Sequence, residues 1–231
     1  MAGNTFDFAS VHGKAILAAG HAFCSCSNER FCSDSTVTSG AWTVDLICGK
    51  QVTTRLGMQQ KHTIFSRQMQ KALRRFAAKG GNILVSGSYI GTDIWDHIYP
   101  VQTDSTFREE SAKFANQVLG YKFVTGRASR RGTIRPISNP SVNGLEALSL
   151  TMEKNPDRYC VESPDGIAPA SKSAFEIYRY ADSGTCAGVA YEGKGYRCVS
   201  LGFPVEALEE YQMTEDLIKD ILNYFNPAET R

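Results

Sequence analysis

The chain has 231 residues, with 25 Lys and Arg against 24 Asp and Glu and a formal net charge of +1. This balance provides no net field that would draw the protein to nucleic acid or to an anionic membrane surface. No run is long and apolar enough to span a bilayer, and the first residues lack the basic and apolar regions of a signal peptide. We therefore expect no nucleic-acid partner and no membrane insertion.

The length and the cysteine content limit the possible domain organisation and disulfide pairing. Because α/β folds of this size often form one unit, we predict a single domain over residues 1–231. Seven cysteines is an odd number, so at least one has no intrachain partner. The cysteine count leaves the compartment open.

The first predicted strand covers residues 14–20, a short apolar run stopped by glycine. His21 follows directly and would lie at the sheet edge where open parallel sheets bind ligands, which makes it a candidate ligand-binding residue. Residues 42–48 are the second predicted strand.

His21, Cys24, Cys26 and Cys32 are residue types that bind zinc. Their spacing differs from the two separated ligand pairs of a usual finger, so we favour buried thiols and loop packing and predict no metal site.

The middle of the chain alternates helices with a strand. A helix is expected from a cap at Thr63 to Gly80, and a buried aliphatic strand follows it at residues 83–85. Thr92 is predicted to cap a short helix through Ile98, and a capping-box pattern that begins at Thr106 predicts another helix up to Gly120. This order predicts an α/β fold, a three-layer α/β/α structure with a mainly parallel, flavodoxin-like sheet.

After Gly120 the pattern predicts an added β-rich half. Residues 138–174 carry turn chemistry and are expected to wrap one sheet edge, and a last helix is expected from Thr214 to Pro227. The predicted strands are residues 121–124, 133–137, 175–180, 187–191 and 196–201, of which the last two flank residues 192–195 as a hairpin.

Arg127, Arg130, Arg131 and Arg135 fall within one segment that also contains Gly and Ser. Two interpretations remain open, a site for an anionic substrate and a solvated loop.

The third strand leads into Gly87-Ser88-Tyr89-Ile90-Gly91. This is the pattern of a nucleophile elbow, in which small residues allow a turn so tight that the middle side chain projects from the sheet edge. Gly87, Ser88 and Gly91 are candidate ligand-binding positions around that turn. Tyr89 occupies the nucleophile position, but a tyrosine with a pKa near ~10 is a poor nucleophile at neutral pH.

This elbow and the late phrase Gly202-Phe203-Pro204-Val205-Glu206 resemble a class I glutamine amidotransferase-like domain. In that family the elbow carries a cysteine, and a late Gln-Phe-His-Pro-Glu-like motif brings the histidine base and its orienting glutamate. Here Tyr89 stands at the cysteine position and Pro204 at the histidine position, whereas Glu206 matches. The resemblance therefore implies a domain without glutaminase activity.

The chain is also similar to the C-terminal domain of secreted bacterial proteins of the xanthan lyase and N-acetylmuramoyl-L-alanine amidase-like kinds. Residues 80–88, 163–167 and 200–206 carry this likeness. It implies a piece of a larger protein that is secreted or periplasmic, with carbohydrate or other domains of the parent protein as partners. We expect no cofactor.

Two hypotheses follow for Tyr89 and Glu206 as pseudo-active positions. In the first, the chain is a catalytically degenerate accessory or binding domain of a protein acting on polysaccharide or cell wall. In the alternative, it is a carbohydrate-active lyase or hydrolase that uses both residues. We expect both side chains at the same sheet edge, with Glu206 tied to backbone N–H groups in the first case and in a shared cleft with Tyr89, with a raised pKa, in the second.

Overall fold

The computed structural model describes residues 8–56, 59–61, 63–95, 105–153 and 156–226. Helices dominate the first half, and strands dominate the second half before a final helix. The helices are α1 (Phe8–Ala18), α2 (Asn28–Ser33), α3 (Arg67–Ala77), α4 (Thr92–Trp95), α5 (Ser105–Phe114) and α6 (Tyr211–Phe225). The strands are β1 (Thr43–Gly49), β2 (Thr54–Leu56), β3 (Gln59–Lys61), β4 (Asn82–Gly87), β5 (Tyr121–Thr125), β6 (Thr133–Pro136), β7 (Leu148–Ser149), β8 (Gly166–Pro169), β9 (Ala174–Tyr180), β10 (Cys186–Glu192) and β11 (Arg197–Leu201).

None of the helices within these ranges combines the length and the apolar character that crossing a bilayer requires.

The main sheet has seven strands in the order β1, β4, β11, β10, β9, β6, β7. The pairs β1–β4 and β4–β11 are parallel, and the remaining four pairs are antiparallel. The α/β class is confirmed, but the expectation of a mainly parallel, flavodoxin-like sheet is wrong. Short turns connect β9 to β10 and β10 to β11, and such turns can join only antiparallel strands, because a parallel pair needs a long crossover.

The predicted first strand at residues 14–20 is wrong as well, because this segment belongs largely to α1. A short apolar run does not by itself distinguish a strand from a helix, and alanine, the best helix former, is frequent here. The run is also not uniformly buried. Ala15 lies in the core, whereas Leu17 is 58% exposed, as expected for one face of a surface helix.

Helices pack against both faces of the main sheet. Because side chains alternate along a strand, Ile83 and Val85 of β4 contact one core and Leu84 contacts the other. The core of Ile83 and Val85 includes buried residues of α3 and α5, and the core of Leu84 includes those of α1 and α6. The buried position of residues 83–85, with β1 and β11 on either side, is as predicted.

The predicted helices lie close to their expected positions. The cap of α3 is Ser66 rather than Thr63, and Gly80 follows the helix with a left-handed φ of 86°. Helix α5 begins at Ser105 and continues as a π-helix over Ala115–Leu119 up to Gly120. Of the predicted helix after Thr92, the structure describes α4, and the remaining residues lie outside the described ranges. Helix α6 begins at Tyr211, before the predicted Thr214.

The five strands predicted after Gly120 correspond to β5, β6, β9, β10 and β11, and β10 and β11 form the predicted hairpin. Residues 138–174, which the sequence predicts to wrap one sheet edge, contribute strands to two different sheets. From this segment β7 extends the main sheet beside β6, whereas β8 pairs with β5 in a separate two-stranded sheet. The second sheet brings residues 163–166 against the turn that follows β4, where they shape the site.

Candidate functional site

The predicted sharp turn after β4 is present between Gly87 and α4. A Cβ at Gly87 would lie 2.6 Å from the Cβ of Cys48, so only glycine allows β4 to lie this close to β1. The N–H of Ser88 donates to the carbonyl of Gly49 at 2.8 Å, which joins the ends of the two strands. The Ser88 side chain is buried, and Tyr89 is half-buried.

Asp165 fixes the far side of this turn. Its buried carboxylate accepts hydrogen bonds from the N–H groups of Gly91 and Thr92, both at 2.7 Å, and from the Thr92 hydroxyl at 2.5 Å. A Cβ at Gly91 would lie 2.5 Å from the Phe123 ring. The candidate ligand-binding positions Gly87, Ser88 and Gly91 are therefore buried within the protein, and the backbone N–H groups of Ser88 and Gly91 bind other parts of the chain.

Asp93, in the first turn of α4, is a second carboxylate near the turn. It accepts hydrogen bonds from the backbone N–H groups of Thr53 and Ile64. Burial raises its pKa above the ordinary value, although the two hydrogen bonds oppose this change. Asp93 thus ties the segment after β1 to the start of α4.

Glu206 lies beyond the end of β11, in a 3-10 turn over Val205–Ala207. Glu206 follows β11 and Tyr89 follows β4. Because β4 and β11 are parallel neighbours, both residues lie at the end of the sheet formed by the carboxyl ends of these strands, as expected from the sequence. The Glu206 side chain is only 1% exposed. Its carboxylate accepts a hydrogen bond from the Tyr159 hydroxyl at 2.8 Å and lies 3.3 Å from Nε2 of His12. Within the described ranges its partners are side chains, not the backbone N–H groups expected of a binding module.

His12 of α1 lies between two carboxylates. Its Nδ1 is 2.6 Å from Oδ2 of Asp45, and its Nε2 faces Glu206. Burial alone would lower the pKa of His12, but the charges and hydrogen bonds of Asp45 and Glu206 outweigh burial and raise the pKa to about 10. At neutral pH His12 is therefore an imidazolium that donates to both carboxylates.

The sequence gives no direct indication that His12 meets Asp45 and Glu206. His12 is 33 residues from Asp45 and 194 residues from Glu206 in the chain, and no periodic pattern connects positions so far apart. The matching of Glu206 to the late motif was the available signal, because that motif places a histidine beside the glutamate. Here the histidine that meets Glu206 comes from the opposite end of the chain.

This arrangement holds His12 in one protonation state and is not suited to proton transfer in catalysis. Both nitrogens of His12 bind carboxylates, so neither is available to accept a proton from a substrate or a nucleophile. Burial, and then the neighbouring Glu206, raise the pKa of Tyr159 far above its ordinary value, so its hydroxyl stays protonated.

Tyr89 and Glu206 contact different layers of the protein. The Tyr89 ring packs against the core shared with α3 and α5. Glu206 instead binds His12 of α1, which covers the other face of the sheet. The two residues therefore lie at the same end of the sheet but pack on its opposite faces.

His21 lines a cavity of about 720 Å³ between α1, the segment at residues 21–28 and β1. Its ring meets the Trp42 ring edge-on, with 5.3 Å between centroids. Cys24 and Cys26 are exposed free thiols at the same cavity. Within the part of the chain that the structure describes, no group of three or more His, Cys, Asp or Glu side chains is placed to hold a metal ion.

No family model and no curated protein sequence matches the chain. Among solved structures, it is similar to Gan42B, a GH42 β-galactosidase, with a TM-score of 0.50 and 12% sequence identity. The match covers 95% of this chain and 26% of that enzyme, so the chain spans about a quarter of its neighbour's length. At this identity the similarity concerns the fold alone.

Proposed function

We propose that this chain is a catalytically degenerate, amidotransferase-like accessory domain that binds its target within a larger exported protein acting on polysaccharide or cell wall. The observation that carries the proposal is the position of His12 between Asp45 and Glu206, with one ring nitrogen facing each carboxylate. The glutamate that would orient a catalytic base binds a buried cation instead.

The residues at the other catalytic positions support the same conclusion. Acyl transfer needs an activated nucleophile beside a base. Tyr89 occupies the nucleophile position, and the base position is Pro204, which has no titratable group. The elbow remains because Asp165 and the close contact of Gly87 with Cys48 stabilise it as a structural turn.

The match to the β-galactosidase fits a domain of a larger protein, which both candidate functions share. Nearly the whole chain aligns with about a quarter of that enzyme, so this fold occurs there as one part of a longer chain. Export and contact with carbohydrate, or with other domains of the parent protein, belong to this proposal.

The alternative is a lyase or hydrolase acting on carbohydrate through Tyr89 and Glu206. General acid or base work requires a carboxylate within reach of the substrate. Glu206 is instead 1% exposed and bound to His12 and Tyr159. We therefore favour the accessory domain.

The test combines two activity assays with one binding assay. We expect the purified protein to release no ammonia from glutamine and no reducing ends or unsaturated products from xanthan or peptidoglycan. We also expect one of these polymers to retard it in affinity electrophoresis. Turnover that Tyr89→Phe or Glu206→Gln abolishes would establish the enzyme, and absence of both turnover and retardation would exclude the binding role for these polymers.

A further inference from the structure

We propose that an exposed arginine surface, at the end of the sheet where β4 and β11 finish, binds the carboxylate groups of an acidic polysaccharide. This inference rests on the proposed function and adds the location of the binding site and the class of ligand. The arginine surface is defined by five residues, all of them exposed: Arg127, Arg130, Arg131, Arg135 and Arg179.

A turn before β6 carries three of these arginines. The carboxylate of Asp182, which lies between β9 and β10, accepts hydrogen bonds from the backbone N–H groups of Arg130 and Arg131 at 2.8 and 3.2 Å. It also accepts one from the hydroxyl of the buried Ser129 at 2.9 Å. Because Asp182 binds the main chain and Ser129, the turn is held without any contribution from the guanidinium groups.

The turn lies at the carboxyl ends of β4 and β11. Because β10 is antiparallel to β11, the segment that leads into β10, with Asp182, lies beside the point where β11 ends. The connection to the elbow is short. The N–H of Ala128 donates to the carbonyl of Pro164 at 2.8 Å, and the next residue, Asp165, binds the elbow. Open α/β sheets bind their ligands at this end of the strands.

The positive charge of this segment lacks side-chain partners. Within the described ranges, the guanidinium groups of the four arginines at residues 127–135 make no ion pair, hydrogen bond or ring contact. By contrast, the exposed Arg30 and Arg67 each bind a carboxylate. Asp182 is the carboxylate bonded to the turn, so four arginines stand against one acidic group and leave an excess of positive charge.

Two like charges face each other across the β6–β9 pair. Arg135 lies directly opposite Arg179 in the register, so both side chains are on the same face of the sheet. The Arg179 guanidinium pairs with Glu176, whereas Arg135 has no charged partner within the described ranges. Like charges in directly opposite positions destabilise a sheet, so a bound carboxylate would relieve this repulsion.

The backbone of Arg127 is an independent sign of function. Its φ of 53° is left-handed, and it is the one non-glycine residue with a positive φ in the part of the chain that the structure describes. Glycine would adopt this conformation without the steric strain that an arginine bears. Because strain of this kind clusters at sites that need a particular side chain, it indicates a role for the Arg127 guanidinium.

The chemistry of the surface favours spaced carboxylates over a nucleic acid. Every cation in it is a guanidinium group, whose planar fork binds a carboxylate through two parallel hydrogen bonds. A nucleic acid presents a charge at every unit and is drawn by a net positive field, but the whole chain carries only +1. A local cluster of arginines instead suits a polysaccharide that carries carboxylates at intervals.

Binding to polymers immobilised on a biosensor tests the surface. The acidic polymers are xanthan and polygalacturonate, hydroxyethylcellulose is the neutral polymer, and a DNA duplex is the nucleic-acid probe. We expect at least one acidic polymer to bind the native protein, with little binding to the other two probes. Binding should weaken steeply as the salt concentration rises to about 0.3 M, because salt screens exposed charge pairs.

Arg130→Gln combined with Arg131→Gln should raise the apparent dissociation constant for the acidic polymers about tenfold, since one exposed ion pair contributes up to about fivefold. The turn should persist, because Asp182 binds backbone N–H groups that the substitutions keep. The matched control is Lys79→Gln combined with Lys194→Gln. It makes the same change in charge at the opposite end of the sheet, before β4 and between β10 and β11, and should leave the affinity unchanged.

Arg127→Gly separates a binding role from a structural one. We expect it to weaken polymer binding and to raise the midpoint of thermal unfolding, because glycine relieves the strain at this φ. Thermal unfolding also confirms that the double variants are folded. Unchanged affinity in the arginine double variant, an equal loss in the lysine control, or equally tight binding of DNA or of the neutral polymer would overturn the arginine surface.

These failures are distinguishable from failure of the proposed function. A polymer that binds native protein and the arginine double variant equally well leaves the accessory role intact and excludes the arginine surface. If no polymer binds the native protein, the binding role and the arginine surface both fail for the polymers tested.

Discussion

At the scale of single residues, His12 is expected to have a large effect on stability. It is a buried cation whose removal would leave the buried Glu206 and the partly buried Asp45 without their shared counter-ion. Breaking a buried ion pair by removing one partner typically costs about 3–5 kcal/mol. We expect His12→Ala to lower the free energy of unfolding at pH 7 by about this amount, measured by urea denaturation.

The same residue gives this prediction a pH dependence. The folded state holds the His12 proton up to a pKa of about 10, whereas the unfolded chain releases it near 6.5. The stabilisation is therefore complete below pH 6.5 and declines as the pH rises toward 10. The difference in unfolding free energy between native protein and His12→Ala should shrink over this window, and a constant difference would contradict the charged state of His12.

His21→Ala is the matched control for both measurements. His21 is also a histidine of the N-terminal region, but its ring packs edge-on against Trp42 at the cavity. An aromatic contact of this kind is worth about 1 kcal/mol. We expect a loss of that order or less. A loss as large as that of His12→Ala would mean that the N-terminal region, rather than the ion network, limits stability.

At the scale of elements, the contact between residues 163–166 and the end of β11 stabilises the region around the turn after β4. Gly202 donates its N–H to Ala187 and accepts a hydrogen bond from the N–H of Asp165, both at 2.8 Å. A Cβ at Gly202 would lie 2.1 Å from the carbonyl oxygen of Asp165, a backbone atom that cannot rotate away. The two segments can therefore meet only at glycine.

We expect Gly202→Ala to destabilise the protein by about 3 kcal/mol or more, at the upper end of overpacking effects, because it separates Asp165 from the elbow as well. Gly184→Ala is the control, since its φ of 71° is left-handed but its Cβ would meet no atom within 4 Å. That control should cost only the backbone strain, about 1–2 kcal/mol. Equal losses in the two variants, measured by urea denaturation, would show that the contact with Asp165 can relax.

The elements that sequence analysis predicted correctly are those whose signals are local. The hairpin of β10 and β11 follows from two apolar runs around Glu192-Gly193-Lys194-Gly195, and the turn after β4 follows from its glycines. The apolar run at residues 14–20 is compatible with either a strand or a helix. Its alanine content favours the helix, which is what the structure has. The strand order depends on contacts between distant segments, because β11 lies between β4 and β10 although β4 precedes it by more than a hundred residues.

The same reasoning explains which parts of the site were predictable. Tyr89 and Glu206 occur in recognisable phrases, and their common sheet edge follows from two parallel strands. His12 and Asp45 lie in segments with no motif, so their meeting with Glu206 is a consequence of the tertiary fold. Asp165 lies in a segment with turn chemistry and in one phrase of the resemblance, but its hydrogen bond to the elbow is a contact between distant segments that no local pattern predicts.

At the scale of the whole molecule, stability should be graded across the sheet. All six residues of β4 are buried, with β1 and β11 on either side and a core on each face. At the other end of the sheet, β7 has two residues and pairs with β6. Regions with few buried contacts open locally at low free energy, whereas central strands open with the whole fold.

We therefore expect the amides of β4 and β11 to exchange with solvent only through global unfolding, and those of β6 and β7 to exchange through local opening. Hydrogen exchange at increasing urea concentrations measures both, because globally exchanging amides share one dependence on denaturant. His12→Ala should lower the protection of the α1 amides from exchange, because α1 loses its ion pairs with Asp45 and Glu206. The amides of β4 should remain among the slowest to exchange, because β4 keeps a core on each face. Exchange of β4 by a local route in the native protein would contradict its central position, and unchanged protection of α1 in His12→Ala would show that apolar packing alone holds that helix.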